Sequence, residues 1–209
     1  YNPALQQLRA RLEAGELGEL YQVVTRRQGP FPARIADVGV VKDLASHDID
    51  LTAWVTQRDY EWVAARSVFK AGREYEDMVS ATCSLTGGLM SNHLVNWLTP
   101  AKERLTAVTG EKGMFVADTL TADLSFYANA SVQQTWDDLA RFRGVAEGDV
   151  TRFAFPKQEP LRTEHERFRD AVLGKESDIV TLEQGAQVVR VCEAMIESAR
   201  TNAFVDVRP

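Results

Sequence analysis

The sequence predicts an α+β domain, in which helices pack on one face of a mostly antiparallel open sheet. Two observations lead to this prediction: both ends of the 209-residue chain show helical patterns, and the middle alternates apolar and polar residues between turn signals. A chain of this length can bury a substantial core. We therefore expect residues 1–209 to form a single domain.

The first helix is expected to start at the extreme N-terminus. Asn2 is a favoured N-cap, Pro3 suits the first helical position, and Gly15 and Gly18 mark the end. Residues 21–25 then read as a strand. The Gly/Pro-punctuated stretch RRQGPFPARIADVG, residues 26–39, is predicted to be a loop leading into a second helix near Asp43.

Two hairpins are predicted in the middle of the chain. Residues 79–85 alternate in polarity, and Gly87-Gly88 turns them into a strand over residues 89–98. Residues 104–109 pair with 114–118 across Gly-Glu-Lys-Gly, and residues 124–127 add a further strand. Residues 131–160 allow no assignment. The uncovered sheet face could be an oligomer surface or could simply be solvated.

Two capping boxes predict the starts of the C-terminal helices. Thr163-Glu-His-Glu166 and Thr181-Leu-Glu-Gln184 both have the hydroxyl and the acidic or amide side chain at the required spacing. The second box leads into an amphipathic stripe from Val188 to Ala199, which predicts a helix with one buried face.

The composition excludes some classes of function. A formal net charge of -6 argues against a general nucleic-acid binder, and no apolar run approaches the ~20 residues of a membrane span. Cys83 and Cys192 are too far apart in sequence to suggest a thiolate metal site, and two cysteines do not form a disulfide framework. We expect a cytoplasmic protein. Because the chain starts at Tyr1 rather than Met, we also expect it to be part of a longer one.

Asp43 and His47 are the strongest candidates for chemistry. At a spacing of four they can share one helical face, where a neutral imidazole can accept an alcohol proton and a carboxylate can orient it. Asp43 could instead be an N-cap, with His47 only packing or facing solvent. A metal site that adds Asp50 is disfavoured, since the chain has three histidines and no HExxH. Alcohol oxidation also needs a hydride acceptor, usually a nicotinamide dinucleotide. The chain has no GxGxxG, the loop motif that binds such a dinucleotide.

The stretch GVVKDLASHDIDLTAWV, residues 39–55, resembles the Asp-x-x-x-His signature of the glucose-fructose oxidoreductase, inositol dehydrogenase and MocA family. The order of the other segments is similar to that family's C-terminal domain along essentially the whole chain. RIADVGVVKDLASHDID resembles members of the UDP-N-acetylglucosamine 3-dehydrogenase type. The resemblance implies a dehydrogenase whose N-terminal dinucleotide domain, with its catalytic lysine and most contacts to NAD or NADP, is absent here.

By this resemblance, His47 would be the general acid/base and Asp43 would position the substrate or the imidazole. The substrate would be a sugar or nucleotide-sugar, and this domain alone should be inactive. It would form a homo-dimer or homo-tetramer through the open sheet face. A pyrophosphate needs cationic and planar donors, for which four residues are candidates: Arg27, Arg34, Lys102 and Arg104. The alternative interpretation of these residues is ordinary surface charge.

Two other functions remain open from the sequence. The domain could be a non-enzymatic ligand-binding or assembly module that uses the open sheet for subunit pairing, or a metal-dependent hydrolase. His93 and Trp97 have matching parity on a predicted strand, and we interpret both as core or sheet-face residues.

Overall fold

The computed structural model describes residues 1–32, 35, 37–130 and 148–207. In these residues a single sheet of nine strands carries helices on one face, which confirms the predicted α+β class. The spatial order of the strands is β8-β7-β6-β5-β1-β4-β3-β2-β9, and every neighbouring pair is antiparallel except β1 with β4.

The strands are β1 (Leu20–Pro30), β2 (Tyr60–Val68), β3 (Met78–Leu85), β4 (Leu89–Asn96), β5 (Leu98–Gly110), β6 (Gly113–Asp118), β7 (Asp123–Ala128), β8 (Val150–Phe153) and β9 (Val205–Asp206). The helices in the described residues are α1 (Pro3–Glu13), α2 (Ser46–Thr56), α3 (Pro160–Val172) and α4 (Leu182–Thr201), and a π-helical turn, Val41–Ala45, precedes α2.

The central strand β1 is longer than the sequence predicted. It continues to Pro30 through residues that were expected to be a loop. The reason is lateral pairing, because β4 lies against it as far as Gln28 on one side and β5 reaches Pro30 on the other. These two ladders satisfy backbone groups that a loop would expose, and they override the local Gly/Pro signal.

Both predicted hairpins and the additional strand β7 are confirmed. Gly87 and Gly88 have φ values of 76° and 77°, the left-handed conformation that glycine adopts without steric cost, and they form the turn between β3 and β4. Strand β4 ends at Asn96 rather than at Leu98. The backbone N–H of Trp97 leaves the ladder and donates to the carbonyl oxygen of Asp77.

Helix starts follow the predicted caps at α1 and α4 but not at α3. The Asn2 side chain accepts from the Ala4 N–H, and the Thr181–Gln184 capping box is complete. The box predicted at Thr163 is wrong. The N-cap of helix α3 is Glu159, four residues before Thr163. Pro160 fits the first turn, and the Glu159 carboxylate accepts from the N–H groups of Leu161 and Arg162.

The core lies between the sheet and the layer formed by α1, α2 and α4. On β1, Val23 and Thr25 are buried on this side, while the alternate residues Val24 and Arg26 lie on a face that no described helix covers. His93 and Trp97 are 1% and 4% exposed, which confirms their interpretation as buried residues. No described helix is both long enough and apolar enough to cross a membrane.

Helix α3 has its apolar side outward. None of its residues is buried, and Leu161, Phe168 and Val172, which share one face by their spacing, are 57%, 61% and 71% exposed. The apolar side chains of α3 therefore add little to the stability of this chain by itself.

Candidate active site

Asp43 lies inside a helical turn rather than at its cap. The π-helical turn already begins at Val41, and Asp43 donates its own N–H to the carbonyl oxygen of Gly39. The cap comes from Glu76, whose Oε1 accepts from the Val41 N–H at 2.9 Å. The alternative interpretation of Asp43 as an N-cap is therefore wrong. Turns of the π type occur frequently at functional sites.

Gly39 allows this remote cap to approach. A Cβ atom built on Gly39 would lie 2.0 Å from Glu76 Oε1, which is closer than any non-bonded contact allows. Glu76 is 8% exposed, and its carbonyl oxygen also accepts from the Val40 N–H. The entry to the Asp43 turn is thus fixed by a contact between two residues 37 positions apart in sequence.

The sheet brings two of the predicted cationic residues together below this turn. Arg27 on β1 and Arg104 on β5 are direct partners across the ladder, so their side chains leave the same face of the sheet. Arg27 Nε donates to Asp48 Oδ1 at 2.8 Å, and these two side chains are only 14% and 3% exposed. Asp48 directly follows His47 in the first turn of α2.

Arg104 is held by backbone oxygens. Its Nη1 donates to the carbonyl oxygens of Gln28 and Glu103 at 2.6 and 2.8 Å. Burial and the charge of Arg27 lower the Arg104 pKa, against the opposing charges of Asp48 and Asp43. The guanidinium therefore lies within electrostatic reach of both acidic residues.

Lys102 lies two residues further along β5, on the same face by strand alternation, and is exposed. Its Cγ lies 3.4 Å from the point where a Cβ of Gly29 would be. Arg104 Nη1 lies 3.9 Å from the same point, so both cationic side chains pass beside Gly29 at this end of the strand pair. The remaining predicted cation, Arg34, lies outside the described residues.

His47 is exposed on α2 but lies among enough protein atoms for desolvation to lower its pKa. Among the described residues, the charges of Arg27 and Arg104 lower the pKa further, and the Asp43 carboxylate raises it. The net direction is downward from the usual 6.5, so the imidazole is neutral at neutral pH. A neutral imidazole is the form that can accept a proton.

A buried polar cluster underlies the site. His93 Nδ1 contacts Thr25 Oγ1 at 2.8 Å, and its Nε2 contacts Ser91 Oγ at 2.9 Å and the Tyr60 hydroxyl at 3.3 Å. Burial lowers the His93 pKa to about 4. The ring is therefore neutral above that pH, and with both nitrogens in contact with hydroxyl groups it supports the sheet.

The other features near α2 do not join this cluster. Asp50 and Trp54 line a separate cleft of about 660 Å³ that also touches α1 and α4, and neither Asp43 nor His47 lines it. In the described part of the chain, no group of three or more His, Cys, Asp or Glu side chains is arranged to hold a metal ion.

Sequence comparison identifies the family. The sequence profile of the GFO/IDH/MocA C-terminal domain matches residues 5–116, which is more than half of the chain. The chain belongs to this family. The matched GFO/IDH/MocA segment includes Arg27, Asp43, His47 and both β5 cations. A comparison with curated protein sequences finds no match.

Solved structures share the fold. UDP-N-acetylglucosamine 3-dehydrogenase GnnA from Acidithiobacillus ferrooxidans is 21% identical with a TM-score of 0.80, and the match covers 96% of this chain and 60% of that one. WlbA dehydrogenase from Bordetella pertussis, in complex with NADH and UDP-GlcNAcA, is 21% identical with a TM-score of 0.73 and coverages of 99% and 60%. A levoglucosan dehydrogenase in complex with NADH and L-sorbose is 18% identical with a TM-score of 0.78 and coverages of 99% and 63%. The chain thus spans about 60% of the length of these GFO/IDH/MocA-like structures.

Proposed function

We propose that this chain is the C-terminal catalytic and oligomerisation domain of an NAD(P)-dependent oxidoreductase that oxidises a ring alcohol of a sugar or nucleotide-sugar. The observation that carries the proposal is the position of His47 in the first turn of α2, with Asp43 on the preceding turn and the cross-strand partners Arg27 and Arg104 close enough to act on its charge. Family membership and the dehydrogenases that share the fold support it.

The chain's own residues do not fit a dinucleotide. No GxGxxG occurs in the sequence, so the backbone cradle for a pyrophosphate at a strand-to-helix turn is missing. A nicotinamide, NAD or NADP, would accept the hydride in such an oxidation and would be held mainly by another part of the whole protein. Without that part we expect the 209-residue chain to be inactive.

His47 would take the proton of the reacting hydroxyl, so that the alcohol becomes a ketone as the hydride leaves its carbon. Asp43, whose charge acts on His47, would orient the imidazole or bind the hydroxyl. For a nucleotide-sugar, four cationic residues would bind the pyrophosphate: Arg27, Arg34, Lys102 and Arg104. The position of Lys102 and Arg104 on one face of β5, both beside Gly29, supports this placement.

Turnover by the intact protein tests the proposal. We expect nicotinamide reduction, followed by absorbance, with one class from a panel of UDP-sugars, free sugars and inositols. If the intact protein turns over a UDP-sugar, Arg104→Gln should raise the KM more than it lowers kcat, because the Arg104 charge is proposed to bind the substrate. Arg162→Gln, a charge change on exposed α3, is the matched control. Failure of the intact protein to bind nicotinamide would instead favour an assembly module.

The open sheet face is the proposed subunit interface. It presents partly exposed apolar and small residues, such as Val24, Leu94 and Ala107, together with the ion pair between Arg26 and Glu103. We expect the chain to sediment as a dimer or tetramer, and Leu94→Asp to yield monomers because a carboxylate would be buried in the contact. Leu120→Asp, on an exposed turn, should leave the sedimentation unchanged. A monomeric wild-type chain would disprove this part of the proposal.

A further inference from the structure

Asp48 is the most deeply buried carboxylate near His47. It is 2% exposed, and its only hydrogen bond in the described structure from a charged group comes from Arg27. Its second oxygen, Oδ2, is buried without a hydrogen-bond partner among the residues that the structure describes. Burying a carboxylate is strongly unfavourable unless a partner compensates for its lost hydration. Burial raises the pKa of Asp48, and the charge and hydrogen bond of Arg27 are the largest of the effects that oppose this rise.

The ion pair between Asp48 and Arg27 also reduces the repulsion between two neighbouring arginines of the sheet. Arg27 and Arg104 are direct cross-strand partners, and like charges in that arrangement repel each other. Asp48 on α2 accepts a hydrogen bond from Arg27, and its negative charge raises the pKa of Arg104. A carboxylate at this point offsets the repulsion and directs the Arg27 side chain toward α2.

We propose that Asp48 is a positioning residue, whose buried carboxylate fixes the Arg27 guanidinium beside His47 and so sets the charge around the proposed base. The inference rests on the proposed role of His47. Asp48 acts through Arg27 and does not touch the substrate. It adds a residue that neither the signature spacing nor the cationic candidates included.

The charged groups that face His47 come from three elements. Asp43 lies on the π-helical turn, Arg27 on β1 and Arg104 on β5. Arg27 contributes the larger cationic effect of the two arginines on the His47 pKa. Moving this guanidinium away should therefore raise the pKa of His47, whereas the direct effect of removing a nearby negative charge would lower it. When Asp48 is neutralised, a positioning role therefore predicts a higher His47 pKa, and a direct charge effect predicts a lower one.

Proton NMR titration of the histidine rings measures this directly. The chain has three histidines, His93 is buried, and His165 is exposed on α3 as an internal reference, so the His47 signal can be assigned with a His47→Gln variant. We expect Asp48→Asn to raise the His47 midpoint by roughly half a unit, the same direction as Arg27→Gln. The double variant should shift it no further than Arg27→Gln alone.

Asp50→Asn is the matched control. It removes one negative charge from the same helix, but Asp50 lines the separate cleft, which His47 does not line. Its His47 midpoint should match the wild type. An Asp48→Asn midpoint that stays the same or falls would overturn the proposal, and so would additive shifts in the double variant.

Asp48→Glu keeps the test decisive if the asparagine variant does not fold. The longer side chain retains the charge but displaces the guanidinium, so positioning predicts a raised midpoint and charge alone predicts none. Because the titration uses the 209-residue chain without substrate or cofactor, its outcome is separate from any failure of the proposed oxidoreductase activity.

Discussion

Replacing His47 with alanine in the intact protein is expected to lower kcat by about 10²-fold or more, because a positioned general base typically contributes that much. Substrate binding should change less, since the imidazole acts on the reacting hydroxyl rather than on the rest of the sugar. The measurement is steady-state nicotinamide reduction with the substrate class that the panel identifies. Alanine removes the proton acceptor without adding bulk to the exposed end of α2.

The matched control for this variant is His165→Ala. His165 is exposed on α3, away from the Asp43 turn, so its loss should leave kcat within a few-fold of the wild type. The pH profile gives a second check. Since the His47 pKa is lowered from 6.5 and the base acts when deprotonated, kcat/KM should rise with pH along a limb whose midpoint lies below 6.5. Wild-type turnover in His47→Ala would disprove the assignment.

The largest effect on stability is expected from Phe115→Ala, with a loss of about 3–5 kcal/mol in the free energy of unfolding. Phe115 is fully buried on β6, and its ring packs against Phe126 and Phe153 at centroid distances of 4.9 and 6.1 Å. Three neighbouring strands therefore line the cavity that alanine would leave, and paired backbones cannot easily collapse into it.

Phe168→Ala provides the comparison with the same chemical change. Phe168 is 61% exposed on α3, so we expect its removal to cost less than about 0.5 kcal/mol in the 209-residue chain. Urea unfolding of the two variants beside the wild type measures both values. Equal losses in the free energy of unfolding would mean that α3 packs its apolar face against this domain, which contradicts the exposed position of Phe168.

The sequence by itself determined the elements whose signals are local. The alternation of residues 79–85 with Gly87-Gly88 specified one hairpin, and the Thr181–Gln184 box located the start of α4. The four-residue spacing of Asp43 and His47 also selected the turn on which the proposed chemistry rests. Each of these patterns lies within about ten consecutive residues, so it can be recognised without knowing a distant partner.

Tertiary structure decided what depends on distant partners. Residues 26–30 are strand rather than loop because β4 and β5 flank them, and Asp43 is not a cap because Glu76 occupies that role from another part of the chain. The pairing of Asp48 with Arg27 across 21 residues followed from the same extension of β1. The local sequence indicates the backbone preference and the polarity of a segment. Hydrogen-bond partners and the surfaces that bury a segment come from residues distant in sequence, so they exist only in the folded chain.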